Sequence, residues 1–417
     1  MSIWKKYKLV DLCLNVTSGG TPNTRKEEYY GGSIPWVRTQ EVNFNRIYDT
    51  DIKITDDGLN NSSAKWIPEN SVIIAMYGAT AGKVAVNKIP VTTNQACCNL
   101  IVDESKVDYR FVYYNILSRF SSIANMAVGG AQQNLNAGMI KDLPFIIPDL
   151  PTQTAIAEIL SSLDDKIELN NKINQELETL AQTLFKQWFI DFEFPNENGE
   201  PYKSSGGEIV DSELGEIPKG WSVGVLENIL DVKGGTTPST KEPTYWDGDI
   251  CWTSPRDLSN IKTPILLDTE KKITPSGLSK ISSGLLPKGT LLLSSRAPIG
   301  YLAITEVETA INQGYIAING KNGYSNLFFL CWLKSNMNSV IERANGSTFL
   351  EISKSNFKQI KIIIPSIETH NQFLNQFDMM FEQIRVNTIE NSDLITLRDN
   401  LLPKLISGEL EINEISN

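Results

Sequence analysis

The hydrophobic pattern changes period along the chain. Short apolar runs such as "SVIIAMY" (71–77), "FIIP" (145–148), "TLLLSS" (290–295) and "IKIIIP" (360–365) are punctuated by Gly, Pro and Asn, as buried strands between turns are. Short helical patterns, "YRFVYYNILSRF" (109–120) and "NLFFLCWLKSNM" (326–337), sit between them. This reads as an α+β fold in two mixed α/β domains of about 150 residues each. From Pro151 to about Ile190 the pattern is different: there is no internal Gly or Pro, and apolar residues recur at steps of three and four. Ile156, Leu160, Leu163 and Ile167, then Leu177, Leu180, Leu184 and Trp188, form one seam. A second runs through Leu374, Phe377, Phe381 and Ile384, then Leu394, Leu397, Leu401 and Leu405. Such spacing predicts two long helices, each with a partner, and about 40 residues at 1.5 Å per residue make a rod of roughly 60 Å.

Both seams are interrupted alike, by Asn170 and Asn174 in the first and Asn387 and Asn391 in the second. If the helices pair as an antiparallel coiled coil, Asn170 meets the Asn391 region and Asn174 the Asn387 region; buried Asn there costs stability and fixes register. Otherwise these residues simply face solvent.

The helices are not the only thing written twice. "TSGGTPNTRKEEYYGG" (17–32) returns as "KGGTTPSTKEPTYWDG" (233–248), "GGSIPWVRTQEV" as "DGDICWTSPRDL", "WIPENSVIIAMYGATAG" as "LLPKGTLLLSSRAPIG", and "TNQA" at 93 as "INQG" at 311. The offset stays between 216 and 219 residues and the order is kept, so the chain holds a duplicated domain. The expected organisation is a first domain over 1–150, a helix over 151–193, a linker over 194–220 rich in Pro, Gly, Ser and Glu, a second domain over 221–366, a helix over 367–408 and a tail over 409–417.

Charge changes the picture once it is divided. The net charge of −11 is unpromising for a nucleic-acid binder, yet residues 1–150 carry +1, 151–200 carry −7, 201–365 carry +1 and 366–417 carry −6. The acid belongs to the helices, where it suits contact with another protein, and each domain keeps room for a basic face. No run of 18 apolar residues is present and the N-terminus lacks the apolar stretch of a signal peptide, so no membrane association is expected. Five irregularly spaced cysteines without a C-x-x-C pair suit free thiols in a cytoplasmic protein.

Candidate chemistry is scarce. The single histidine, His370, argues against a His-based triad or a His-rich metal site. "YGATAGKVA" (77–85) is one residue short of a phosphate loop, has Val84 where a hydroxyl is required, and loses its Lys in the second copy. No G-x-G-x-x-G follows a strand, and no trio of acidic and lysine residues matches between copies. No catalytic residue, metal site or bound cofactor is expected: the chain binds and positions.

The residues carry a family resemblance. The paired "GGTP" and "GGTTP" loops, "AIAEILSSLDDKIELNNKINQELETLAQTLFKQWFIDFE" (155–193), "DSELGEIPKGW" (211–221) and "LRDNLLPKLISGEL" (397–410) resemble the specificity subunits of type I restriction–modification enzymes over nearly the whole length. The resemblance implies that each repeat is a target recognition domain reading one half of a split site in double-stranded DNA. It implies that the paired helices space the domains and dock two modification subunits, which hold S-adenosylmethionine and methylate adenine. Separate restriction subunits would translocate and cut the DNA. Half-sites read by a symmetric protein fall roughly 34 Å apart or at multiples of that.

Scaffold positions should agree between copies, and base-reading positions should differ. Trp36 and Trp252 agree and are expected in the core; Asn94-Gln95 and Asn312-Gln313 agree and either cap a turn or touch phosphate. Arg pairs with guanine and Asn or Gln with adenine, which makes Arg38, Gln40, Gln132, Gln133 and Asn134 the candidate base readers of the first domain, and Arg256, Arg296 and Thr348 those of the second. Arg25, Lys83 and Lys241 are candidate phosphate contacts. Any one of these could instead be an ordinary surface residue. Two rival classes remain at this point: an enzyme with an unseen nuclease or methyltransferase motif, and a two-domain scaffold that does not read DNA.

Overall fold

The computed structural model describes residues 4–128, 134–346 and 350–412. Contacts divide the chain into two units, one of the residues up to Lys166 with those from Leu394 on, the other Ile167–Asp393.

In the first unit a five-stranded sheet runs in the order Cys13–Ser18, Cys97–Val102, Val72–Ala75, Val84–Asn87, Asn45–Ile47. The last pair is parallel and the others antiparallel. A three-stranded sheet places Tyr30–Val37 between Lys53–Ile54 and Thr92–Thr93, and Lys5–Lys8 pairs with Pro144–Ile147. Val72–Ala75 is wholly buried, which is why it reads as a continuous apolar run rather than an alternation.

The second unit repeats this strand for strand. Its five-stranded order is Leu230–Gly234, Tyr315–Gly320, Leu291–Ser295, Ile299–Thr305, Ile265–Leu266, again with only the last pair parallel. Trp246–Thr253 lies between Lys271–Ile273 and Thr309–Ile311, and Ser222–Val225 pairs with Lys361–Ile364. Even the irregularity is copied: the register shifts between Tyr30 and Ile34 and again between Trp246 and Ile250. Gly31 (φ 79°) and Asp247 (φ 60°) take up the left-handed backbone at that bulge.

The long helices are Leu150–Phe189 and Ile367–Ser407, of 40 and 41 residues, and they pack together antiparallel. Arg398 Nη1 lies 2.7 Å from Asp164 Oδ1 in the first unit, while in the second Asn170 Nδ2 lies 2.9 Å from Asn391 Oδ1 and Asn387 Nδ2 lies 2.8 Å from Asn174 Oδ1. They do not stand apart from the domains as separate spacers. Ile156, Leu160, Leu402 and Leu405 close the core of the first domain with Phe111 and Phe145. Phe185, Phe189, Phe373 and Phe377 do the same for the second, against Phe328 and Trp221.

The seam also departs from strict heptad spacing. Leu180 and Leu397 are exposed, and Ala181, Phe185, Leu402 and Phe373 are buried beside the positions expected. A helix of 3.6 residues per turn drifts about 20° per heptad, so a 3-4 pattern carried over five heptads slips onto its neighbours.

The expected linker is folded. After the positive-φ residue Phe192, Phe194 stacks on Tyr202 at 4.6 Å and on Trp221 at 5.1 Å between ring centroids. A hairpin, Ile209–Ser212 with Gly215–Pro218, follows and buries Ile217. Phe192, Phe194 and Trp221 are all buried in the second unit's core, so the segment is a strap over the end of the first long helix rather than a free tether.

Candidate nucleic-acid interface

Each domain carries one rim, built from the ends of neighbouring strands and held by the same hydrogen bonds in both copies. The indole N–H of Trp36 donates to Gly20 O at 3.0 Å, and that of Trp252 to Thr236 O at 3.3 Å. Both rings are buried, as a core role requires. The Gly-Gly-Thr loop approaches the next strand closely. A Cβ on Gly19 would collide with Thr93 O, and one on Gly235 with Ile311 O, so only glycine fits either place. The Thr21 hydroxyl donates to Gln95 Oε1, and the Thr237 hydroxyl to Gln313 Oε1. Asn94 Oδ1 accepts from Ala96 N–H at 3.1 Å and Asn312 Oδ1 from Gly314 N–H at 2.8 Å. The Asn-Gln pair therefore caps a turn and clamps the neighbouring loop. Met76 N–H donates to Ala96 O at 2.8 Å and Ser295 N–H to Gly314 O at 2.8 Å, which ties the central strand to the same rim.

On this common frame the candidate readers are distributed unequally. In the first domain Arg38 is partly exposed, its Nη2 3.7 Å from Asp51 Oδ2 and its Nε 4.0 Å from Glu41 Oε2; Gln40 is exposed beside it. In the second, Ser254 occupies the place of Arg38, and Arg256, with 80% of its side chain exposed, leans on Glu270 at 3.6 Å. At the central strand's end, Leu135 N–H donates to Met76 O and Ile352 N–H to Ser295 O, each at 3.0 Å. Exposed Asn134 is thus set beside Tyr77, and Glu351 beside Arg296, whose Nη1 lies 3.7 Å from Glu351 Oε2. Gln132, Gln133 and Thr348 lie outside the described residues.

The three phosphate candidates differ from one another. Arg25 and Lys241 are exposed on the loops after the Gly-Gly-Thr turns, where their backbone N–H groups are held by Asn23 and Ser239. Lys83 is half-buried, with its ammonium 2.7 Å from Asn43 Oδ1 and over the Phe44 ring. Its aim is already taken by neutral partners.

Sequence reasoning missed the carboxylates Asp51, Glu270 and Glu351 that hold these arginines, and Lys354, whose Nζ lies beside Gly234 of the second domain's loop. The signal was present for two of them: Thr50-Asp51 and Thr269-Glu270 align in the repeat. Both threonines are buried and donate to a backbone carbonyl two residues on.

In the helix seam Asn170, Asn174, Asn387 and Asn391 are all buried, from 0% to 8% exposed. Asn391 Nδ2 donates to Asn171 Oδ1 at 3.1 Å, Gln383 Nε2 to Asn387 Oδ1 at 2.7 Å, and Asn170 Nδ2 also reaches Glu390. Asn170 Oδ1 and Asn174 Nδ2 are buried without a protein partner. The cysteines are free thiols, and burial pushes Cys98 and Cys331 up to about 12, where a thiol stays protonated and behaves as a small hydrophobe. Among the described residues no group of three or more His, Cys, Asp or Glu is placed to hold a metal ion, and no helix is long and apolar enough to cross a membrane.

A family model described as "Type I restriction modification DNA specificity domain" matches residues 1–179 and again 218–392. The chain belongs to that family. Among its relatives are the MjaIX specificity subunit of Methanocaldococcus jannaschii, 28% identical over 99% of this chain and 94% of that one, and the HindI specificity subunit of Haemophilus influenzae, 25% identical over 98% and 100%. The crystal structure of a type I restriction–modification S subunit from M. genitalium shares the fold, with a TM-score of 0.60 at 19% identity over 97% of this chain and 96% of that one. As a type I specificity subunit, the chain selects DNA through two target recognition domains and is not itself the catalyst. The two rims belong one to each of those domains.

Proposed function

We propose that this type I specificity subunit reads a split site in double-stranded DNA, one half per rim, within a cytoplasmic complex with two modification subunits and the restriction subunits. The observation that carries this reading is the pairing of an invariant frame with variable tips. The hydrogen bonds that shape the rim are the same in both domains, whereas the side chains on it are partly exposed Arg38 and exposed Gln40 in one and partly exposed Ser254 and exposed Arg256 in the other. Different base-edge contacts on one scaffold give different half-site preferences, and Arg25 and Lys241 add contacts to phosphate that carry no sequence information.

The long helices supply the docking surface. Leu169, Ile173 and Leu180 are 53%, 37% and 51% exposed and follow one another at steps of four and seven. Met379, Val386 and Leu397 are 71%, 46% and 47% exposed at steps of seven and eleven. Apolar stripes of this kind on an otherwise acidic helix fit a protein partner. S-adenosylmethionine belongs to the modification subunits and not to this chain.

Co-expression with the modification subunits, followed by mapping of N6-methyladenine across the host DNA, tests the reading. The expected result is one new motif of two defined halves around a fixed unspecified gap, with one half replaced when residues 1–150 are exchanged for those of a relative. A well-formed complex that adds no motif overturns it.

A further inference from the structure

Glu41 and Asp257 occupy equivalent places at the end of the loop after the Trp strand, and neither is exposed. Glu41, with 13% of its side chain exposed, accepts the Arg38 N–H on Oε2 at 2.8 Å and the Asp51 N–H on Oε1 at 3.0 Å. Asp257 accepts the Ser254 N–H on Oδ2 at 2.8 Å and the Glu270 N–H on Oδ1 at 2.9 Å. In each domain a single carboxylate therefore staples the loop to a segment 10 or 13 residues further on. The stapled residue is in both cases the one whose own side chain holds the rim arginine, Asp51 for Arg38 and Glu270 for Arg256.

We propose that Glu41 and Asp257 are positioning residues for DNA reading, each setting the aim of its own domain's arginine and hence the selectivity of one half-site. The inference rests on the reading that each rim reads one half. The route is short: carboxylate to backbone N–H, that residue's carboxylate to guanidinium, joined in the first domain by Glu41 Oε2 itself, 4.0 Å from Arg38 Nε. A bidentate contact to a base edge tolerates little misplacement, so a loosened arginine loses discrimination before it loses its charge. The chemistry needs a carboxylate, because two oxygens must each accept an N–H. An amide offers one acceptor and turns an N–H₂ group toward the second donor, and hydrogen bonds to an ionised acceptor are the stronger kind. The rest of the frame does not depend on the staple: Asn94 N–H still reaches Val37 O, Asn312 N–H still reaches Thr253 O, and both Trp indoles keep their carbonyls.

The experiment is the methylome of the full complex carrying Glu41→Gln, Asp257→Asn, or the exchanges Glu41→Asp and Asp257→Glu. Glu41→Gln is expected to lower methylation about tenfold at the wild-type motif relative to sites differing by one base in the half read by the first domain, the size of one charge-assisted hydrogen bond lost. The other half and the gap stay unchanged. Asp257→Asn does the same to the opposite half, and the exchanges, which keep two acceptor oxygens, restore most of the discrimination. An unchanged motif, or a loss of methylation spread evenly over cognate and near-cognate sites, overturns the positioning role. A wild-type complex that yields no split motif overturns the half-site reading beneath it, and the two failures are told apart by that control.

Discussion

In the first domain the rim cation next to the Trp strand is Arg38, at the start of its loop, and it leans on Asp51; in the second it is Arg256, two places further along the equivalent loop, leaning on Glu270. The supporting carboxylate, the Thr that precedes it and the staple from Glu41 or Asp257 are the same in both. The arginine has moved while everything that holds it has stayed. A frame closed by backbone hydrogen bonds tolerates change at its exposed tips, because a solvent-facing side chain can be replaced without leaving a buried donor or acceptor unpaired. Buried positions differ too, as where Val37 and Cys97 of the first copy correspond to Thr253 and Tyr315 of the second, but at the rim it is the solvent-facing cation that has changed place while its hydrogen-bonded support has not.

The comparison breaks most visibly if the frame is attacked. Trp36→Ala and Trp252→Ala each remove a ring 5% exposed together with its hydrogen bond. Each is expected to cost about 3–5 kcal/mol, measured by denaturant unfolding, and the two losses should agree to within about 1 kcal/mol. A frame that matters in only one copy would show itself as a large loss beside a small one.

A smaller effect separates equivalent residues in the helix seam. Asn174→Leu removes the acceptor of the buried Asn387 Nδ2 and is expected to cost about 1–3 kcal/mol. The equivalent change Asn391→Leu should cost less, because Asn170 Nδ2 retains Glu390 as an acceptor. Adding Asn387→Leu to Asn174→Leu is expected to recover the loss. Equal costs for Asn174→Leu and Asn391→Leu would mean that the Glu390 contact contributes nothing.

The smallest expected effect is one of pH, and it belongs to the second domain alone. His370, fully buried between Tyr324 and Phe328, accepts on Nε2, as a neutral ring, the N–H of Ser325 at 3.1 Å, the residue whose hydroxyl caps the helix Asn326–Glu342. Burial lowers its pKa from the ordinary 6.5. Unfolded chains then take up a proton that the folded one refuses, so stability is full above pH 6.5 and declines as pH falls below it, by up to about 1.4 kcal/mol per pH unit. His370→Gln should flatten that decline in unfolding curves of the second domain; an unchanged slope would assign it to other groups.

The sequence shows the domain repeat and the long helices because both are local signals: duplicated phrases kept in order, and an apolar period that runs about 40 residues without Gly or Pro in the first helix and up to Pro403 in the second. The strap from 194 to 220 was illegible for the opposite reason. Its Pro, Gly and Ser content has the composition of a tether, and Phe192, Phe194, Tyr202 and Ile217 follow no period, although so many aromatics and apolar residues in one short segment hint at burial. The rim was legible in part. Positions that differ between copies single out Arg38 and Arg256, and positions that agree single out the tryptophans and the Asn-Gln turns. That Lys83 is already engaged by Asn43 and Phe44, and Arg296 by Glu351, depends on segments brought together only by folding.

The first domain's core ends in Leu402, Leu405 and Ile406, from the last turns of the second long helix, with Leu410 packed beside them. The ribosome makes that domain's strands first and the residues that seal them last, some 250 codons after Ile147. During translation the second domain can close around Phe189, Trp221 and Phe373 while the first still shows an open apolar face. A premature stop after residue 393 would therefore spare the whole of the second domain's core and damage the one begun earliest in sequence, and a nascent chain of this kind would need shielding at its oldest part rather than its newest.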